Sequence, residues 1–120
     1  MTTGILLTRG MVIDVNLDPT LGAETGKIRP CVVVTNDVYN ARVPVIQVTP
    51  ITGWSDKKAR IVTNIEIAPS SANGLTKPSI ADCLHTRPID YRVRLVRIRG
   101  RLTNQEMVKI DAALRTVFGL

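Results

Sequence analysis

The sequence predicts a mainly β fold: a small antiparallel β-barrel with one C-terminal α-helix. Three observations carry this. Short apolar and β-branched runs recur at hairpin spacing, divided by Gly, Pro, Asn and Asp. The end of the chain changes to helical spacing behind a capping box. The length of 120 residues suits one domain of about 100–200 residues, so residues 1–120 form a single domain.

The elements follow in order. Residues 11–17 alternate, with Met11, Ile13, Val15 and Leu17 opposite Val12, Asp14 and Asn16, as in a half-buried strand. Asp18-Pro19-Thr20 ends it, and residues 21–28 form a loop punctuated by Gly22 and Gly26. Residues 31–35 are continuously apolar or β-branched, which predicts a central strand. Asn36-Asp37 begins a turn. Residues 43–51 form a third strand, with Pro44 and Pro50 at its ends. Residues 53–58 are polar and read as an exposed loop.

Residues 60–67 alternate again, with Ile61, Thr63, Ile65 and Ile67 on one side. Residues 68–77 are a turn-rich connection, and residues 79–84 a short apolar run. Residues 92–102 alternate arginine with apolar side chains, but the phase slips at Leu95-Val96, which predicts a bulge or corner. Thr103 is an N-cap with Glu106 at the third helical position. Met107, Ile110, Leu114, Val117 and Phe118 recur at helical spacing, and Gly119 stops the helix. The sum is about six short strands and one helix.

Composition excludes several classes. Hydrophobic residues make up 44%, too many for a disordered basic tail. No stretch approaches the roughly 20 apolar residues of a membrane span. Residues 1–7 lack the basic region of a secretory signal. Cys31 and Cys83 lie in apolar segments without a CxxC motif, and the single His85 cannot supply a zinc site. Two buried, reduced thiols in a cytoplasmic protein are expected, with no metal and no cofactor.

The net charge is +6, from 16 Lys+Arg against 10 Asp+Glu. Arginines outnumber lysines eleven to five, and six arginines fall within residues 87–101, where Asp90 is the only acid. Such a segment is either a field that attracts a polyanion or a solvated strand face. Aromatics are few (Tyr39, Trp54, Tyr91 and Phe118), so phosphate contacts rather than stacking would carry most of any nucleic-acid affinity.

Three places could carry chemistry. Arg29 follows a two-glycine loop, and Pro30 biases it toward extended backbone, so a cation is held at a strand edge. Glu24, five residues earlier, is a candidate general base, or else half of a surface ion pair with Arg29. Thr52 places a hydroxyl at a strand end, where threonine also serves as a turn former. His85, whose ordinary pKa lies near neutrality, adjoins Arg87. No Walker loop, Rossmann fingerprint, nucleophile elbow or metal motif is present. RNA cleavage suits this inventory, because the substrate's own 2′-OH is the nucleophile and the protein need supply only a base, an acid and a cation.

These residues, in their order and spacing, resemble the MazF/PemK family. The resemblance rests on Arg9-Gly10, Asp18-Pro19-Thr20, Gly22 with Glu24, Arg29-Pro30, Asn36-Asp37, Val43-Pro44 and Pro50-Ile51-Thr52. It continues through Arg87 with Ile89-Asp90, Gly100-Arg101-Leu102 and the helix from Glu106 to Leu120. It implies an SH3-like barrel, a homodimer, and a type II toxin that cleaves single-stranded mRNA at specific sequences. It further implies a 2′,3′-cyclic phosphate and a 5′-OH as products, no metal, and neutralisation by a cognate antitoxin with an acidic segment. By the same resemblance Arg29, Thr52 and Glu24 are catalytic, while Lys27, Asn36, His85 and Arg87 contact RNA.

Three positions depart from the family pattern. Met11 replaces an aspartate, Leu84 and His85 replace an acid and a glutamine, and Pro88 replaces a threonine. His85 is accordingly a candidate for base contact or proton transfer. Two alternatives stand beside the ribonuclease: a non-catalytic basic barrel that binds nucleic acid through residues 87–101, and a gyrase-binding toxin.

Overall fold

The computed structural model describes residues 5–120; Met1, Thr2, Thr3 and Gly4, which open the segment read as lacking a secretory signal, lie outside the described residues. The order is β1 (Met11–Asn16), β2 (Ile28–Val33), α1 (Asp37–Asn40), β3 (Val45–Gly53), α2 (Asp56–Ala59), β4 (Asn64–Ile67) and β5 (Ser79–Asp82). A 3₁₀ turn (Cys83–His85) follows, then β6 (Arg87–Asp90), α3 (Tyr91–Arg94), β7 (Leu95–Arg101) and α4 (Asn104–Phe118). The seven strands pair antiparallel in the order β4-β5-β3-β2-β1-β7, and β6 joins the edge of β3. This is the mainly β architecture with a C-terminal helix that the sequence predicts.

Two cores form on the two sides of β1 and β2. Val12 and Val32 pack with Ile51, Ile67, Met107 and Ile110 beneath α4. Ile13, Val15, Cys31 and Val33 pack with Leu7, Ile46, Val48 and Ile89 on the other side. The alternation in residues 11–17 therefore divides two buried sides rather than a buried and a wet one. Asp14 is only 6% exposed. It is tolerated there because Arg97 Nε and Arg99 Nε both donate to its carboxylate, each at 2.6 Å.

β3 organises the rest. Its residues Val45–Val48 pair with β6, and Ile51–Gly53 pair with β5 on the same edge. Pro50 lies inside the strand, not at its end as its lack of an N–H suggests. It falls in the gap between β6 and β5, where that edge needs no donor, and pairs with Cys31 on the other side.

Three further readings change. Only Asn64–Ile67 of residues 60–67 is strand, since residues 61–63 turn, with Ile61 N–H donating to Lys58 O and Asn64 N–H to Ile61 O. The polar loop at residues 53–58 contains the single turn α2, capped by Ser55. Residues 92–94 belong to α3, capped by Asp90, and β7 begins at Leu95. The phase slip marks that join, and β7 then bulges twice against β1, at Val96 and at Arg99.

α4 carries the predicted capping box, Thr103 with Glu106, and ends at Gly119 in the left-handed region. Met107, Ile110 and Ala113 are its buried residues. Phe118, read as part of the apolar stripe, is 63% exposed because it lies in the last turn, beyond the sheet. The connection 68–78 lies backbone to backbone on β7: Arg101 N–H donates to Ala72 O at 2.8 Å, and a Cβ on Gly100 would come within 2.1 Å of that oxygen. Both cysteines are free and buried, as expected. No helix among the described residues is long and apolar enough to cross a membrane.

Candidate active site

The sequence candidates gather in two clefts. The first, about 240 Å³, is lined by Arg29, Thr52, Lys77 and Arg99 with Ile51 and Ser79 among others. The start of β2 contributes Arg29, and the end of β3 contributes Thr52. Thr52 is opposite Ile80 of β5, so the strand end that carries it is held by β5, two residues beyond the last pair with β2. Arg29 Nε donates to Gly26 O at 3.0 Å, which ties its guanidinium to the preceding loop. Lys58 Nζ donates to Thr52 Oγ1 at 3.4 Å and to Gly53 O at 3.2 Å. Arg99 is already paired with Asp14. Among the described residues no carboxylate lines this cleft. A cationic, hydroxyl-bearing pocket of this kind suits a phosphodiester.

The second cleft, about 380 Å³, is lined by Pro19, Glu24, Thr25, His85, Thr86, Arg87 and Pro88. Glu24 therefore faces His85 and Arg87 across this cleft and does not line the one with Arg29 and Thr52. Its Oε1 accepts from Leu21 N–H at 2.7 Å. His85 Nδ1 is 2.8 Å from Asp82 Oδ2. Arg87 Nη1 donates to Leu17 O at 2.9 Å. Thr86 Oγ1 is 2.6 Å from Thr49 Oγ1, which fastens the cleft to β3.

Residues 24–29 run from the second cleft to the first, and their shape is fixed. Lys27 N–H donates to Asp18 Oδ1 at 2.9 Å, Leu17 N–H donates to Lys27 O at 2.9 Å, and Lys27 has a φ of 67°. A Cβ on Gly26 would come within 2.6 Å of Asp18 Oδ1 and 2.7 Å of Thr20 Oγ1, so a larger residue there must displace those two side chains. Cys31 lies near both clefts. Burial pushes its thiol up to about 12, the Asp14 carboxylate adds to the rise, and Arg87 and Arg29 oppose it.

Asn36 and Lys27 line neither cleft. The Asn36 side chain accepts from Val38 N–H at 2.9 Å and caps α1. The arginine-rich segment is also more structural than its charge suggests. Arg92 pairs with Asp90, Arg94 donates to Asn16 O and Asp18 O, and Arg101 donates to Arg9 O. With Arg87, Arg97 and Arg99 engaged as above, all six arginines of residues 87–101 have partners within the chain.

Sequence reading passed over Asp82, Lys58 and Lys77. Asp82 sets a carboxylate beside His85, and its spacing of three residues is the signal available in the sequence. Lys77 is carried to the cleft by β5 pairing with β3, which no local pattern announces.

Residues 8–118 match the family model described as PemK-like, MazF-like toxin of type II toxin-antitoxin systems. The chain belongs to this toxin family. Its fold is that of MazF from Deinococcus radiodurans, to which it is similar with a TM-score of 0.81 at 20% identity, covering 97% of this chain and 99% of that one. The Mycobacterium tuberculosis toxin MazF-mt6 is similar at 26% identity, with a TM-score of 0.73 and coverage of 93% of this chain and 98% of that one. A mycobacterial endoribonuclease in complex with its cognate antitoxin is similar at 21% identity, with a TM-score of 0.73 and coverage of 93% and 94%. The toxin shares with these proteins the sheet and helix that position both clefts.

Proposed function

We propose that this toxin is a sequence-specific endoribonuclease that cleaves single-stranded mRNA. The observation that carries the proposal is the joining of Arg29 and Thr52, 23 positions apart in the sequence, in one cationic cleft. The scissile phosphate lies there. The 2′-oxygen of the preceding ribose attacks phosphorus, its proton passes to a base, and the P–O5′ bond breaks as O5′ takes up a proton. The products are a 2′,3′-cyclic phosphate and a 5′-OH.

Arg29 stabilises the charged phosphorane and protonates the leaving oxygen. Its Nε is tied to Gly26 O, so the terminal nitrogens donate to the phosphate. Thr52 orients the phosphate. Glu24 or His85 takes the 2′-OH proton, which requires the attacking ribose to lie between the two clefts that residues 24–29 join, and His85 and Arg87 contact bases on the second cleft. The nucleophile is internal to the substrate, so no metal-activated water is required. The engagement of the arginines of residues 87–101 within the fold weighs against the non-catalytic basic barrel. A cognate antitoxin with an acidic segment, a homodimer and a cytoplasmic setting complete the proposal.

The test is incubation of the purified protein with a long unstructured RNA in EDTA, beside Arg29→Ala. Discrete fragments ending in cyclic phosphate, absent with the variant, are expected. Intact RNA across several unrelated substrates would overturn the proposal, and a supercoiling assay would then address gyrase.

A further inference from the structure

A third recess adjoins the Arg29–Thr52 cleft, and the function proposed above does not use it. It is a groove of about 380 Å³ lined by Trp54, Glu66, Ile67, Ala68, Pro78 and Ser79. Its walls are almost wholly apolar, and no cation lines it among the described residues. Trp54 is 42% exposed, although tryptophan commonly buries most of its surface. The indole is nonetheless held in place. Its Nε1 donates to Glu66 Oε1 at 2.6 Å, and its backbone N–H donates to Pro78 O at 3.0 Å.

The groove borders the cationic cleft at Ser79, which lines both. Trp54 is the first residue after β3, two residues beyond Thr52, a span of at most about 6.6 Å. Pro78 follows Lys77 directly on the facing side. A phosphate held by Arg29 and Thr52 therefore leaves the neighbouring nucleotide within reach of the indole. The lining has no charge to hold a second phosphate, and it offers what a nucleobase requires: an aromatic wall, an apolar floor and one carboxylate.

We propose that the Trp54–Glu66–Pro78 groove is a nucleobase subsite beside the scissile phosphate. The inference rests on the ribonuclease reading. The base stacks on the indole, and Glu66 accepts a hydrogen bond from it through the oxygen not used by Trp54. A carboxylate accepts from an exocyclic amine, as it does from cytosine N4. Uracil has only its N3–H to offer, flanked by two carbonyl oxygens that would face the carboxylate, so the subsite favours the amine-bearing adenine, guanine or cytosine over uracil, and Trp54 and Glu66 help determine where the toxin cuts.

Trp54 is the only tryptophan, so tryptophan emission, excited selectively over the two tyrosines, reports this groove. The experiment titrates the protein with fluorescein-labelled 2′-O-methyl oligonucleotides of uniform A, C or U, which lack the attacking hydroxyl. Anisotropy follows binding, and tryptophan emission follows occupancy. Quenching is expected, stronger with A and C than with U. Trp54→Ala should weaken binding about tenfold to a hundredfold, Trp54→Phe should recover most of the loss, and Glu66→Gln should reduce the preference over U. In parallel, mapped 5′-OH ends from a pooled RNA should shift with Glu66→Gln.

Binding without quenching, or a Trp54→Ala variant that binds like wild type, overturns the subsite. If wild type still cleaves RNA, the ribonuclease reading survives that result. Quenching by an acidic peptide but by no oligonucleotide assigns the groove to a protein partner and also overturns the subsite. No binding and no cleavage of any RNA overturns both.

Discussion

Arg99 reaches across from a bulge in β7 to Asp14, a buried carboxylate in the middle of β1, and donates to it at 2.6 Å. Arg99 also lines the Arg29–Thr52 cleft, and it donates to Gly74 O at 2.8 Å. One guanidinium thus links a buried acid, the 68–78 connection and the cleft wall. Asp14→Ala leaves Arg99, with only 17% of its side chain exposed, without its counter-charge. The variant is expected to lose about 3–5 kcal/mol of stability. Urea denaturation followed by circular dichroism measures this, and an unchanged midpoint would contradict it.

Arg29 is tied by one nitrogen and, in the proposed mechanism, works through the others. Arg29→Ala should lower kcat on RNA by about 10²–10³-fold. Arg29→Lys keeps the charge and loses the planar fork, so it should recover only part of the rate. Single-turnover cleavage with saturating enzyme separates this from weaker binding. A variant with normal single-turnover rate and raised KM would make Arg29 a binding residue only.

The pair formed by His85 and Asp82 sets the orientation of the imidazole in the second cleft. Through that orientation His85 either takes a proton or contacts a base. His85→Ala should lower the cleavage rate or redistribute the cut sites, and Asp82→Asn should shift the same property in the same direction to a smaller degree. Mapping of cut ends together with initial rates reads both. Unchanged rates and sites in His85→Ala would remove His85 from the mechanism.

Burial pushes both thiols up to about 12, from an ordinary value of 9.0. In native protein at pH 8 neither should react with iodoacetamide, and both should react in urea. The unfolded chain ionises its thiols above about pH 9 while the folded chain keeps them neutral. Their contribution to stability is therefore full below pH 9 and declines as pH rises toward 12. On the acid side the opposite holds for two surface carboxylates. The Arg9 backbone N–H holds Asp37 below its usual range, and the Arg92 side chain does the same for Asp90. Their contribution is present above the ordinary carboxylate range and fades as pH falls through their folded values. Urea midpoints across the pH range test both directions.

What could be read in the sequence was what is encoded locally. The Thr103–Glu106 box, the stripe from Met107 to Val117 and the Gly119 stop fixed α4 to its boundaries, because capping and period are properties of neighbouring residues. Strand β1 is visible as an alternating run, and the apolar run at residues 31–35 marks β2 with its bounds displaced, since the strand is Ile28–Val33. Asp14 reads locally as a residue of a wet face, because its partners come from β7, 83 and 85 positions away. Pro50 reads locally as a strand end, because its tolerance inside β3 depends on two different strands sharing one edge. The same limit applied to the site. Arg29, Thr52, Glu24, His85 and Arg87 could be named, but their division between two clefts is set by strand pairing. Lys77 and Asp82 arrive only with β5.

β3 carries Thr49, whose hydroxyl meets Thr86 of one cleft, then Thr52 of the next, and it leads into Trp54 of the third recess. Three recesses are therefore spaced by one covalent ruler, held on one edge by β6 and then β5 and on the other by β2 at Val48, Thr49 and Pro50. Substitutions in residues 24–27 or at Trp54 and Glu66 can change which chemical groups are met at each mark, but only an insertion or deletion within β3 could move the marks. Efforts to reprogram where this toxin acts should vary the loops and leave the ruler untouched.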